Sequence, residues 1–235
     1  MIIEVLINEV CNLFGDGQNV TYLQATLPDA EFIFTPITDQ PYFANNKPDM
    51  IYIGAMSEST QRRVIEKLMP LKDRLLSLIN ENVVFLATGN AADIFCKKID
   101  YVTEEQSCDA LGFFDIQVKT DLFNRYNGKV LCEYEDIDLV GFRSQFSFLF
   151  GNNEDCYFAK CIRGIGINKD SNLEGLRMKN LICTQIIGPI LPLNPLFCEK
   201  LIALTGHQAT AAYRDAAIDA YEQHLREFKD PNIAF

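Results

Sequence analysis

Apolar runs of strand length alternate with segments of helical period through the first hundred residues. Residues 2–7, Ile-Ile-Glu-Val-Leu-Ile, read as a buried strand. The glycine-rich stretch Asn12-Leu-Phe-Gly-Asp-Gly-Gln-Asn19 reads as a turn into a helix over 18–28 that Pro28 helps to end. A second strand is expected over 31–36. A loop comes next over 38–48, where Pro41, Asn45, Asn46 and Pro48 gather, and then a third strand over 49–54 stopped by Gly54. Ser57 or Ser59 can cap the next helix, expected over 60–80. There Val64, Leu68, Leu71, Leu75, Leu78 and Ile79 recur at three- and four-residue spacing, with Pro70 as a kink or a break. Residues 83–87 form a continuous apolar strand, and the turn Thr88-Gly-Asn90 passes into 91–96, which has helical composition. Strands alternating with helices imply parallel pairing with both faces of the sheet covered.

The second half changes character. Short β-rich pieces at 111–118, 129–133, 138–142, 147–150 and 157–162 are separated by turns and read as an antiparallel extension. One more strand is expected over 178–187. The next stretch, Gly188-Pro-Ile-Leu-Pro-Leu-Asn-Pro195, is too rich in proline for a helix or a central strand. Helices at about 196–205 and 208–228 close the chain. No repeat, low-complexity tract or linker divides it, so residues 1–235 read as one α/β domain: a three-layer, mostly parallel sheet with helices on both faces and an antiparallel β extension.

Composition narrows the function. The chain has 21 basic and 32 acidic residues, a net charge of -11, which argues against a surface that neutralises the phosphates of nucleic acid. No run of about 18 uncharged apolar residues occurs and the amino terminus has no basic n-region, so neither membrane insertion nor export is expected. Eight cysteines are spread from 11 to 198 without a C-x-x-C pair, and only His207 and His224 could join them. They read as reduced, mostly buried thiols of a cytoplasmic protein, with no metal site and no cofactor.

Chemistry is most plausible at the turn after the strand at 83–87, because a tight strand-to-helix turn projects a side chain at the strand's carboxyl end beside free backbone N–H groups. Thr88 stands at its apex, with Gly89 permitting the tight backbone; Thr88 also suits a plain helix N-cap. Ile53-Gly54, Phe85-Leu-Ala-Thr-Gly-Asn90 and the stretch 180–195 together resemble the class I glutamine amidotransferases. Within them they resemble the cobyric acid synthase-like branch and the amidotransferase subunit of lipid II isoglutaminyl synthase. That subunit carries Asn-Leu-Tyr-(Ser/Gly)-Asp-x-Gly-Asn near its start and a late Tyr-Leu-His-Gly-Pro-Ile-Leu-Pro-x-Asn-Pro. Here the counterparts are Asn12 to Asn19 and Gln185-Ile-Ile-Gly-Pro-Ile-Leu-Pro-Leu-Asn-Pro195. Leu111-Gly112, Val140-Gly-Phe142 and Gly164-Ile-Gly-Ile-Asn168 fall in the same order. The resemblance spans about residues 1–205 and implies a flavodoxin-like three-layer fold.

The departures decide the expected activity. The family hydrolyses glutamine with a cysteine at the elbow, whose position falls on Thr88, and its Cys-Gly-Gly-Tyr-Gln has become Thr-Gly-Asn-Ala-Ala. The activating histidine falls on Ile187, and Gly-Phe-Glu-Asn-His-Gly-Gly-Arg has become Gly141-Phe-Arg-Ser-Gln-Phe-Ser-Phe148. A hydroxyl needs an adjacent base more than a thiol does, and Ile187 cannot serve as one. His207 and His224 read as surface or helix-end residues, Cys96 as a core thiol, and Glu133, Glu135, Asp136 and Asp138 as a solvated turn. The expectation is a catalytically inactive pseudoenzyme of cell-wall biosynthesis that binds or regulates an ATP-dependent Mur-ligase-like or other amide-forming synthetase. The alternatives are altered chemistry in the cleft of Gly54, Thr88, Gly89, Asn90, Gln145 and Gln185, or an active amidotransferase. A cleft plugged by Phe146, Phe148 or Ile187 would speak against altered chemistry.

Overall fold

The computed structural model describes residues 1–233. Strand β1 (Ile2–Leu6) leads through the glycine-rich turn into helix α1 (Gly17–Thr26), strand β2 (Glu31–Thr35) and, after the proline-containing loop, strand β3 (Met50–Ile53). Ser57 accepts a hydrogen bond from the Thr60 N–H and so caps helix α2 (Glu58–Leu68). Pro70 breaks the run, giving a 3-10 turn over Met69–Leu71 and a separate helix α3 (Lys72–Asn80). Strand β4 (Val84–Thr88) comes next, then a 3-10 turn over Gly89–Phe95 instead of the α-helix expected at 91–96.

The second half supplies strands β5 (Lys98–Tyr101), β6 (Gln106–Asp109), β7 (Gln117–Thr120), β8 (Tyr126–Tyr134), β9 (Ile137–Gln145), β10 (Ser147–Phe150), β11 (Ala159–Arg163), β12 (Leu173–Glu174), β13 (Leu176–Met178) and β14 (Leu181–Thr184). Only the end of the strand expected at 111–118 is extended, as β7. The single strand expected at 178–187 is a hairpin, turned by Lys179 at a left-handed φ of 53°. Helices α4 (Ile190–Leu193), α5 (Pro195–Ala203) and α6 (Arg214–Lys229) complete the chain. The proline-rich stretch was expected to exclude a helix, yet it holds a single helical turn. Pro192 is the third residue of that turn and Pro195 the first of α5, positions whose N–H groups have no partner within the helix.

Three sheets result among the described residues. The central one runs β13-β14-β4-β3-β1-β2, parallel except for β13; β10-β7-β5-β6 and β12-β11-β8-β9 form two smaller sheets. Because β3 and β4 are covered on both faces, they need apolar residues at every position. Val84 and Leu86 join the core built with α1, α5 and the β8–β9 sheet, while Phe85 and Ala87 join the core built with α2, α3 and the β5–β7 sheet. This is a mixed α/β architecture with helices on both faces, as the alternation of strands and helices implied. Phe142 on β9 exchanges both backbone hydrogen bonds with Ile187, so the antiparallel sheet holds the segment after β14 over the carboxyl end of β4.

Candidate functional site

The chain leaves β4 through Thr88 and Gly89. Thr88 is still extended (φ -112°, ψ 149°) and 0% exposed, whereas Gly89 takes the left-handed φ of 58° that makes the turn. A Cβ built on Gly89 would stand 3.5 Å from Cγ2 of Ile187 and 2.7 Å from Cβ of Ala55. The apex of the elbow is therefore Gly89, one residue past the Thr88 expected from the sequence. Thr88 points inward: its hydroxyl donates to Asp16 Oδ2 at 2.6 Å and lies 3.2 Å from the Tyr52 hydroxyl, which donates to the Asp16 carbonyl. It makes no side-chain cap to the next turn either.

Two backbone N–H groups beside the turn, those of Ala55 and Met56, are already bonded. The Ala55 N–H donates to Asp16 Oδ2 (2.8 Å) and the Met56 N–H donates to Asn90 Oδ1 (2.9 Å), while Asn90 Nδ2 returns a bond to the Met56 carbonyl (2.7 Å). Such amides are what could hold a developing oxyanion, and here side chains of the same molecule occupy them. Burial pushes the Asp16 carboxyl up to about 6, against the opposing bonds from Thr88 and Ala55.

A cavity of about 110 Å³ opens above this turn, lined by Leu13, Phe14, Met56, Gly89, Asn90, Gln145, Phe146, Gln185 and Ile187 among others. Of the residues singled out from the sequence, Gly89, Asn90, Gln145, Gln185 and Ile187 meet there; Gly54 and Thr88 lie behind the wall. Phe146 and Ile187 narrow the cavity, whereas Phe148 packs on Tyr126 instead. Gln145 and Gln185 are tethered from beneath. Gln145 accepts from Arg143 Nη1 (3.2 Å) and donates to the Ser147 carbonyl (2.6 Å); Gln185 donates to Asp93 Oδ1 (2.7 Å) through its amide and to Glu174 Oε1 (2.9 Å) through its backbone. Arg143 and Glu174 form an ion pair at 3.1 Å with both side chains 0% exposed. Burial raises the Glu174 carboxyl against the pull of Arg143.

Asp93 is the other buried acid. Burial pushes it to about 7, opposed by bonds from Gln61 and Gln185, with the charge of Glu58 adding to the rise. Both Asp16 and Asp93 lie above the ordinary aspartate value of 3.8 in the folded protein. Their contribution to stability is thus fully present below that value and is lost as pH rises through about 6 and about 7. Urea midpoints are expected to fall between about pH 4 and about pH 7 and to level off above, and Asp93→Asn is expected to flatten that fall; an unchanged slope in the variant would contradict the assignment.

Several of these residues were missed in the sequence. Asp16 sits in the quoted glycine-rich motif but reads there as a turn residue; Asp93 and Glu174 carry no local signal at all. Arg143 lies in the stretch 141–148, noted above only for its departure from the family pattern, and its guanidinium turns inward. His207 bonds with Thr205 and His224 packs against Phe228, and neither lines the cavity. Cys96 is fully buried in the core. Among the described residues, no group of three His, Cys, Asp or Glu side chains could hold a metal ion, and no helix is long and apolar enough to cross a membrane.

No family model matches the chain. It is similar to the GatD subunit of the glutamine-hydrolysing lipid II isoglutaminyl synthase of Staphylococcus aureus, 25% identical over 198 residues that cover 81% of this chain and 78% of the relative. GatD of Streptococcus pneumoniae is 22% identical over 228 residues, covering 94% and 86%. Among solved structures, PurLQS of Thermotoga maritima superposes with a TM-score of 0.55 at 9% identity, covering 95% of this chain and 98% of that one. A glutamine amidotransferase superposes with a TM-score of 0.57 at 13% identity, covering 88% and 100%. The chain is a distant relative of GatD built on the glutamine amidotransferase-like fold.

Proposed function

We propose that this chain is a glutamine amidotransferase-like subunit without glutaminase activity, which docks on and regulates an ATP-dependent, Mur-ligase-like amide-forming synthetase of cell-wall biosynthesis in the cytoplasm. One observation carries the reading: the residue at the elbow is Gly89, and the side chain it faces is Ile187. Position 89 offers no nucleophile and position 187 no proton acceptor, and the two roles work as a unit, so losing both removes nearly all of the rate. The amides of Ala55 and Met56, bonded to Asp16 and Asn90, support the same conclusion. Altered chemistry in the cleft has little to work with. About 110 Å³ is well below the roughly 300–1,000 Å³ of an ordinary ligand pocket, and Phe146 and Ile187 narrow it.

The relatives are named as subunits of a synthase, which supports a partner for this chain as well. The docking face we assign is the mouth of the cleft. Leu13 and Phe14 are exposed there, Arg125 stacks over Phe14 and Phe146, and Phe123, 85% exposed, is carried on the same loop as Arg125. Exposed aromatics beside an arginine are the residue types that anchor interfaces. Co-purification with a Mur-ligase-like synthetase is expected, and Phe123→Asp together with Phe14→Asp is expected to weaken the complex at least about tenfold without unfolding the chain. Failure to capture the synthetase at micromolar concentration, or equal binding by the double variant, would overturn the docking assignment.

A further inference from the structure

We infer that Cys132 and Cys161 form a redox-active dithiol that closes to a disulfide under peroxide, locking the antiparallel sheet that roofs the cleft. The two are direct partners across the antiparallel strands β8 and β11, and their Sγ atoms are 3.0 Å apart. Directly opposite residues on antiparallel strands stand about 4.5–5.5 Å apart at Cα, within the about 4.4–6.8 Å that disulfides span. Both side chains leave the same face of the sheet, so closure needs the sulfurs to approach by about 1 Å and no strand to move. The Cys161 thiol is held in place by donating to the Ile165 carbonyl at 3.0 Å. Neither cysteine lines the cleft cavity, and the inference is independent of whether the cleft is catalytic.

The surroundings assign the two roles. Cys132 is wholly enclosed and burial pushes its thiol well up, whereas Cys161 retains 7% exposure beside an irregularity in the strand between Cys161 and Arg163. Cys161 therefore meets the oxidant. Its thiolate attacks one oxygen of hydrogen peroxide, the O–O bond breaks, and the sulfenic acid forms with release of hydroxide, which takes up the thiol's proton as water. The Cys132 sulfur then attacks the sulfenic sulfur, the S–O bond breaks, and hydroxide leaves and takes up the Cys132 proton. In sum, two thiols and one peroxide give one disulfide and two waters.

The position gives the bond a structural consequence. Arg163, just past the irregularity, donates to the carbonyls of Phe228, Asp230 and Ile233, so β11 holds the end of helix α6. A covalent tie from β11 to β8 fixes that grip and, through the β8–β9 pairing, the strand that bonds Ile187.

The test uses the full chain, reduced and then titrated with hydrogen peroxide, denatured in N-ethylmaleimide and mapped by mass spectrometry. Half-buried Cys108 serves as the internal gauge of oxidant dose. The expected result is loss of the Cys132 and Cys161 thiols to a cross-linked peptide that joins them, before or together with oxidation of Cys108, with a raised urea midpoint in the oxidised protein. In Cys161→Ser that cross-link is absent. Cys132 and Cys161 both alkylatable at a dose that has oxidised Cys108, or a disulfide joining other positions, would overturn the inference, and the wild-type mapping alone suffices should the variant fail to fold.

Discussion

Gly89→Cys is expected to destabilise the protein without conferring glutamine hydrolysis, although it restores a thiol at the apex of the elbow. The new Cβ would fall 2.7 Å from Cβ of Ala55, a distance real side chains do not tolerate. Overpacking of that kind costs about 1–3 kcal/mol. A φ of 58° adds about 1–2 kcal/mol for any residue with a side chain. Ala55→Gly removes the atom in the way, so the double variant Gly89→Cys, Ala55→Gly should recover the overpacking part and leave the backbone part, a coupling of about 1–3 kcal/mol in a double-mutant cycle. Additive effects in urea melts would show that Ala55 does not crowd the apex. Ile187→His, added to these, supplies a base but leaves the Ala55 and Met56 amides bonded to Asp16 and Asn90. On the proposed reading, three things are missing from the elbow at once: the nucleophile, the base and the Ala55 and Met56 amides as free donors.

Glu174→Ala is expected to be the most damaging single truncation beneath the cleft, at about 3–5 kcal/mol, because it strands the Arg143 guanidinium without a counter-charge at zero exposure. It also strips Thr184 and the Gln185 backbone of their acceptor. The pair itself is worth much less than its breakage. Arg143 Nε has no hydrogen-bond partner, so the guanidinium is incompletely satisfied. Replacing both residues with apolar ones, Arg143→Met with Glu174→Leu, is therefore expected to cost far less than Glu174→Ala alone. Thermal denaturation of the three proteins checks this; a double variant as unstable as the single one would mean that the pair holds the cleft floor through its hydrogen bonds, not through charge balance.

The central sheet was legible because strands covered on both faces must be apolar throughout, and Val83-Val-Phe-Leu-Ala87 announces itself in that way. Strands β5 and β6 were not: β5 alternates polar and apolar for only four residues, Lys98-Ile-Asp-Tyr101, and β6, Gln106-Ser-Cys-Asp109, has no large apolar position at all. The helical turn at Ile190–Leu193 was hidden by Pro192, whose position in the first turn requires no N–H. At the elbow the sequence located the turn but not its apex. Thr88 and Gly89 are neighbours, and only the backbone shows that the bend falls on the glycine, turning the threonine toward Asp16. Arg143 and Glu174 are thirty-one residues apart, and no local pattern connects an arginine in one strand with a glutamate in another.

Whether the elbow lacks glutaminase chemistry is decided by glutamate release from glutamine, measured with the purified chain alone and again with the proposed Mur-ligase-like synthetase present. The expected rate is indistinguishable from the protein-free control in both cases, since removing nucleophile and base together costs about a million-fold. Turnover above that control, retained by the chain and abolished by any single substitution at the elbow or at one of its cysteines, would contradict the assignment of an inactive subunit.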